Sequence, residues 1–413
     1  MRILEGAAAA RYVRKLEQRG QKLDALEPQV RRIVQSVKRS GDRALRRYAE
    51  RWDGLSHMDS LRVSESELRA ALESCSRDVR IALEEAAGSI RNFCEWQKPA
   101  QWERASQGRT LGQLVRPLGS AGCYVPGGRY PLPSTLLMTV IPAQVAGVKD
   151  IRVVSPRPAQ ATLAAAGLLG VREFYRVGGA QAIAALAYGT KTIARVDKIV
   201  GPGNLFVTTA KKMVAFDCAI DFLAGPTEGL VLSEGGEPSF IASDLVAQAE
   251  HDPEALVLLI TRSRKLARAV SRSATSLAGG NSIARQALRK HGAVLLAGSR
   301  QQAIEWTNRI APEHLTTTRK NLPQIVSAGS IFLGDYSAQA AGDYGSGPNH
   351  VLPTGGSAHF RGGLSVSDFL KIITVQELSR TGLRRIAPSI VALAEAEGLR
   401  AHAHSIQLRC GDA

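Results

Sequence analysis

The chain of 413 residues carries only five cysteines, Cys75, Cys94, Cys123, Cys218 and Cys410, scattered and with no C-x-x-C spacing. That excludes a disulfide framework and a thiolate zinc site, and the five read as small core residues. No stretch approaches the roughly 18 consecutive apolar residues of a membrane helix. The first twenty residues break at Arg11, Arg14 and Lys15 before an apolar signal core forms, so they read as helix and the expected location is cytoplasmic. Aromatic residues are just 5%, too few for a base-stacking platform, and no G-x-G-x-x-G or G-x-x-x-x-G-K-[ST] fingerprint occurs. Acidic residues are outnumbered, 37 Asp and Glu against 53 Lys and Arg, a net charge of +16. The positive residues are spread, with local clusters at 11–15, 31–47 and 262–272, which reads as a solvated basic surface rather than a nucleic-acid or membrane-binding one.

What is present is a long α/β pattern. Val30, Ile33, Val34 and Val37 keep helical spacing, and Ser64 with Glu67 forms an S-x-x-E capping box heading a helix that runs towards Cys94. Between about residues 112 and 335, short apolar runs alternate with Ala-rich helical windows. The expected strands are 122–125, 151–155, 172–177, 198–200, 229–233, 256–261, 293–297 and 330–334. Continuous apolar runs suit parallel strands covered on both faces, so two doubly wound sheets are expected. A Gly-rich stretch at 342–363 reads as a functional loop. The tail reads as helix to about Leu399, then as a short strand in AHAHSIQLR, which alternates.

Four places can carry chemistry. In PSFIASDLVAQAEHDP, Gln248 and His251 share a helix face and can chelate a metal, although His251 can equally cap the helix C-terminus. In APEHL, Glu313 and His314 lie side by side and offer two bases of distinct pKa, or simply an acid at an exposed helix N-terminus. Asp343 and His350 sit in GDYGSGPNHVLPTGG, whose glycines let backbone approach a ligand, or which forms a surface loop with an Asx turn. His402 and His404 close the tail near Glu397, where solvated histidines are the plain reading. YVPGG at 124–128, RVGGAQAIAALAYG at 176–189 and GPGN at 201–204 each follow a strand, and the latter two precede helices whose N-termini can receive a pyrophosphate.

Taken in order, YVPGG, PSTLLM, VGGAQAIAALAYGT, VDKIVGPGN, DFLAGPTE, SDLVAQAEHDP, APEHL, AGSIFLGDYS, AGDYGSGPNHVLPT and DFLKIITVQELS resemble the successive signatures of the histidinol dehydrogenase family over nearly the whole chain. The resemblance implies a zinc-dependent homodimer, with one Zn2+ per subunit, that oxidises L-histidinol to L-histidine through L-histidinaldehyde with two NAD+, the last step of histidine biosynthesis. It implies two incomplete Rossmann-like doubly wound domains plus small helical and C-terminal tail domains. Their expected bounds are 18–123 with 227–365 for the metal and catalytic unit, 124–226 for the NAD-binding unit, 1–17 with 366–385 for the helical unit, and 386–413 for a tail crossing to the partner subunit.

By position the resemblance puts zinc on Gln248, His251, Asp343 and, from the other subunit, His402. It assigns Thr227, His314 and Glu397 to histidinol together with the metal-binding residues, acid/base chemistry to Glu313 and His314, and NAD+ to Tyr124, Gln181 and Asn204. Thr227 stands where relatives often carry serine. His350 and His404 lie beside family positions and read as structural. Two other readings stay open: a relative oxidising another polar alcohol such as sulfopropanediol, and an inactive metal-binding scaffold. Glu397 beside His402 favours histidinol, since a carboxylate suits a cationic amine and repels a sulfonate. An inactive scaffold needs a lost catalytic residue, and none is missing.

Overall fold

The computed structural model describes residues 1–20, 23–127 and 130–411. Gly128, the last residue of YVPGG, lies outside them. Strand β1 (Arg2–Glu5) and helices α1 (Gly6–Glu17) and α2 (Glu27–Tyr48) open the chain, followed by β2 (Arg62–Val63), α3 (Glu65–Ser74), α4 (Arg77–Trp96), β3 (Trp102–Ser106) and β4 (Arg109–Pro117). A first alternating run comprises β5 (Ser120–Tyr124), α5 (Pro133–Ala146), β6 (Asp150–Val154), α6 (Gln160–Leu168), β7 (Glu173–Tyr175), α7 (Gly179–Tyr188), β8 (Lys198–Val200), α8 (Leu205–Val214) and β9 (Ala219–Ile220). A second comprises β10 (Glu228–Leu232), α9 (Pro238–Ala249), β11 (Leu256–Thr261), α10 (Arg264–Leu277), α11 (Ser282–Lys290), β12 (Ala293–Leu296), α12 (Arg300–Ile310), β13 (His314–Thr317), β14 (Ser330–Leu333) and α13 (Gln339–Tyr344). Strand β15 (Leu370–Leu378) and helices α14 (Arg380–Ala396) and α15 (Arg400–Cys410) end it.

Two six-stranded sheets result, in spatial order β2-β7-β6-β5-β8-β9 and β1-β12-β11-β10-β13-β14. All pairings are parallel except that of edge strand β2 with β7. The sequences SAGCY of β5, EGLVL of β10 and LVLLIT of β11 are buried at every position, because helices cover both faces of each sheet. Helix α5 is apolar all round for the same reason. Pro133 starts it and Gly147, at φ +90°, ends it in a left-handed cap that a side chain would strain. In each sheet the strand order reverses beside one central strand. The reversals fall between β5 and β8 and between β10 and β13.

The fold class is as expected and all eight expected strands form, but several local readings are corrected. The N-terminus is not helical from its start: Arg2–Glu5 pairs parallel with Ala293–Leu296 before α1 begins. Four residues are too few to display a strand period in sequence. The helix from Ser64 breaks at Cys75, and Ser76 caps a second helix, α4. Half of the capping box forms, since Ser64 accepts from the Glu67 N–H while the Glu67 carboxylate turns to Arg176. The expected tail strand is helix α15, whose buried positions Ala403 and Cys410 lie two turns apart, with Cys410 packed on Leu383 and Ala387 of α14. The Gly-rich stretch leads towards β15. β15, β4 and β3 form a third, antiparallel sheet with exposed faces, which WERAS does not announce because it buries nothing.

Sheet membership also cuts across two expected boundaries. Arg2–Glu5 belongs with β10–β14 instead of with a helical unit. Ser120–Tyr124 and Arg62–Val63 belong with β6–β9, because the fully buried β5 can satisfy its backbone only between β6 and β8.

Candidate functional site

Strand β13 enters its sheet with His314 paired opposite Gly229 of β10, after Ala311 turns the chain out of α12 at φ +47°. APEHL is therefore a helix-to-strand turn in the core and not an exposed helix N-terminus. Glu313 and His314 are 6% and 3% exposed. The Glu313 carboxylate accepts the Glu228 N–H at 2.9 Å, and His314 Nδ1 lies 3.4 Å from the Glu228 carbonyl. A carbonyl only accepts, so Nδ1 carries a hydrogen and Nε2 is left to exchange a proton. Carboxylates flank the ring on both sides: Glu313 is 3.6 Å from Nδ1, and Asp343, on α13, is 3.6 Å from Nε2.

This environment sets distinct proton affinities. Burial pushes the Glu313 carboxyl up to about 8 despite the opposing pull of His314. For His314, burial pulls the imidazole down, but the Glu313 and Asp343 carboxylates outweigh it and hold it above its ordinary value. For Asp343, burial raises the carboxyl and His314 more than offsets that, leaving it below the usual range. His350 Nδ1 meets the Asp343 carbonyl at 2.8 Å, and burial depresses its ring. A cleft of about 410 Å3 opens beside His314 and His350, walled by Phe332, Ala341, Gly342 and Asn349.

Partners distant in sequence hold this cluster. Arg19, just beyond α1, grips Glu228 with two bonds of 2.7 Å, and Gly355 N–H adds a third at 3.0 Å. The fork neutralises a carboxylate that stands next to Glu313. Sequence reading missed Arg19 and Glu228, because 209 residues separate them and only the sheet topology brings α1 beside β10. Thr227 precedes β10, half-buried, its carbonyl accepting from Leu256 N–H at 2.9 Å.

Gln248, in the last turn of α9, is fully buried with neither amide atom hydrogen-bonded. His251 lies just past that helix end, its N–H 3.4 Å from the Gln248 carbonyl. Both His251 and Asp343 are close enough for their charges to affect one another. Leaving a buried amide unpaired costs about 1–3 kcal/mol per group, so an oxygen donor held this way fits a cation better than it fits an empty core. The donor set of one amide oxygen, one imidazole and one carboxylate suits a borderline ion such as Zn2+. No three or more His, Cys, Asp or Glu side chains among the described residues are arranged to hold a metal on their own. Glu397, just past α14, and His402 and His404 on α15 are exposed, and among the described residues they join no metal-holding group with the cluster.

The other sheet presents its strand-order reversal between β5 and β8, where doubly wound sheets bind ligands at the carboxyl ends. Tyr124 ends β5 and the GPGN turn follows β8. A side chain at Gly201 would strike the Tyr124 carbonyl. The three residues expected there are engaged internally. Tyr124 Oη accepts the Gly179 N–H at 3.2 Å, Gln181 Nε2 donates to Asp53 at 3.1 Å, and Asn204 caps α8 through the Phe206 and Val207 N–H groups. These bonds take up amide donors at the starts of α7 and α8, so a pyrophosphate seated on those two helix ends is not favoured. Lys211, 2% exposed, meets Asp221 and, at 3.0 Å, the Gly201 carbonyl, and Asp221 accepts the Gly201 N–H at 2.8 Å, which fixes the GPGN turn.

The two regions adjoin. His350 Nε2 is 3.2 Å from Thr135 Oγ1 in the first turn of α5, the helix that follows the carboxyl end of β5. The carboxylate and imidazole cluster, at the amino ends of β10 and β13, thus lies beside the helix that follows the carboxyl end of β5 in the other sheet.

Residues 16–410 match the family model described as histidinol dehydrogenase. The chain belongs to the histidinol dehydrogenase family. The histidinol dehydrogenase of Methanothermobacter thermautotrophicus is 47% identical over 94% of each chain, and that of Haloarcula marismortui 48% identical over 94% of each. A crystal structure of histidinol dehydrogenase from Elizabethkingia anophelis superposes with a TM-score of 0.94 at 37% identity, covering 99% of this chain and 98% of that one. The chain is accordingly an enzyme of the dehydrogenase class.

Proposed function

We propose that the protein is an NAD-dependent L-histidinol dehydrogenase that oxidises L-histidinol to L-histidine through L-histidinaldehyde, consuming two NAD+ and one water, as the last step of histidine biosynthesis. The observation that carries this reading is the buried imidazole of His314 between the Glu313 and Asp343 carboxylates, beside an open cleft and next to the edge of the β5–β9 sheet. Alcohol oxidation requires a base for the hydroxyl proton. His314 Nε2 takes it, and the Asp343 carboxylate, joined by Glu313 once that carboxyl has ionised, stabilises the imidazolium that forms. Hydride leaves the carbinol carbon for NAD+, the second substrate, at the crevice between the turns after β5 and β8, where Tyr124, Gln181 and Asn204 stand.

The second oxidation needs a water added to the aldehyde. Glu313, whose carboxyl loses its proton near pH 8, has the basicity to accept the water's proton, and hydride then leaves the hydrated carbon for a second NAD+. Two oxidations release three protons in all when the product is a carboxylate. Zn2+ would be held, one per subunit, by Gln248, His251, Asp343 and His402 of the partner subunit, and when bound it supplies a Lewis-acid anchor that orients the substrate. Thr227 and Glu397 of the partner subunit complete the histidinol site, the carboxylate suiting its amine.

This arrangement makes the protein a homodimer with shared active sites. In support, β15 and the tail helices expose Ile372, Ile373, Leu393 and Leu408, between 46% and 66% accessible, large apolar side chains that a partner subunit would cover. We assign the β5–β9 sheet to NAD+, the β10–β14 sheet to metal and catalysis, and residues 386–413 to the crossing tail. A cytoplasmic location accords with five free cysteines. The test is NADH formation from L-histidinol before and after strong chelation. Activity should vanish and return with Zn2+, and full activity in a metal-free preparation overturns the zinc assignment.

A further inference from the structure

Two buried amides carry unpaired atoms, and both press on the same point. Gln248 and Gln339 are both fully buried. Neither atom of the Gln248 amide is paired, and Gln339 has no donor for its Oε1. A methyl group built on Gly229 of β10 would lie 2.9 Å from Gln248 Cγ and 3.1 Å from Gln339 Oε1.

The polarity of the Gln339 amide follows from its other neighbours. Its Nε2 is 3.0 Å from Thr316 Oγ1 and 3.5 Å from the Leu230 carbonyl. A carbonyl only accepts, so the amide nitrogen occupies that side and Oε1 the side of Gly229 and Gln248. Gln339 is itself anchored to the helix that carries Gln248. Its backbone N–H donates at 3.3 Å to Asp244, one turn earlier on α9. The same short helix, α13, carries Asp343.

We propose that Gln339 is a positioning residue for Gln248: its Oε1 accepts from Gln248 Nε2, leaving Gln248 Oε1 as the end that binds Zn2+. An amide can offer either its oxygen or its NH2, and the NH2 repels a cation. An acceptor fixed beside it selects the orientation in which the oxygen is free, and pairs two otherwise unsatisfied groups at once. The inference rests on the zinc reading and adds a residue that acts through a ligand rather than as one.

Zinc dissociation constants of the purified full chain, measured by competition with a chromophoric chelator, test it without recourse to activity. Gln339→Leu should weaken binding by about 10–100-fold, the usual effect of losing a residue that orients a metal ligand. Gln339→Glu keeps an acceptor oxygen and should bind close to wild type. In a Gln248→Glu background, which retains an oxygen ligand but has no N–H to donate, Gln339→Leu should change affinity little. Near-UV circular dichroism verifies folding, and Gln339→Met carries the same expectation if the leucine variant does not fold. Equal affinity of Gln339→Leu and wild type overturns the proposal, as does an undiminished loss in the Gln248→Glu background, which would reveal a purely structural role. Absence of zinc binding by the wild-type chain instead removes the zinc reading, and this inference with it.

Discussion

Gln248→Met should leave the metal-free protein about as stable as it was while depriving it of its metal. With Nε2 donated to Gln339, the fully buried wild-type side chain keeps one orphan, its Oε1, and the variant exchanges that orphan for Gln339 Oε1. Each such group costs about 1–3 kcal/mol, so the two penalties offset each other to within about 1 kcal/mol. With an unfolding entropy of about 2.1 cal/mol/K per residue, or roughly 0.9 kcal/mol/K for this length, the two metal-free midpoints should agree within about 1 °C. Zinc at about a hundred times its dissociation constant should add about 2.7 kcal/mol to the wild type, roughly 3 °C, and much less to the variant. Calorimetry with chelator and then with saturating zinc measures all four midpoints. The midpoints should separate only when zinc is present, with the wild type higher. A metal-free midpoint lowered by Gln248→Met by about 2 °C or more would refute the reasoning, since it would mean that both ends of the amide are satisfied within the core.

Glu313→Gln should slow oxidation of L-histidinaldehyde far more than oxidation of L-histidinol, whereas His314→Ala harms both, because only the second oxidation adds water. Steady-state rates on each substrate check this, and equal losses for Glu313→Gln contradict the division of roles. Since the Glu313 carboxyl keeps its proton until about pH 8, aldehyde oxidation by the wild type should increase as pH rises through that value, and Glu313→Gln should flatten the rise. Lys211→Met leaves Asp221 buried without its cation and should cost about 3–5 kcal/mol, read from urea unfolding. A loss under about 1 kcal/mol would show that the backbone N–H groups suffice for Asp221. Co-refolding His251→Ala with His402→Ala should restore about a quarter of wild-type activity, because half of the randomly paired dimers contain one site with both defects and one with neither. A mixture with heterodimers present and no activity rules out the shared site.

The strands legible in the sequence were those whose burial leaves a continuous apolar run, such as LVLLIT and GLVLS. Strands β3, β4 and β15 expose both kinds of side chain to solvent and carry no such signal. AHAHSIQLR alternates because alanine and histidine interleave, while the packing of α15 rests on Ala403 and Cys410, a period hidden by small residues. Glu313 beside His314 was legible as a pair, but its depth was not, since the left-handed Ala311 and the pairing with β10 decide it. Arg19, Glu228 and Gln339 were missed because each acquires its role from a partner brought close only by the sheets. Gln339 in particular lies in AQA, the three residues between two of the family signatures, and gains a role only when its amide is seen against Gly229.

The most direct measurement is the number of NADH formed per L-histidinol at completion, with the zinc-loaded enzyme and limiting substrate. Four-electron oxidation at the Glu313 and His314 cluster gives two NADH and one L-histidine, with no aldehyde accumulating in solution. One NADH with released aldehyde, or no NADH from L-histidinol, would contradict it.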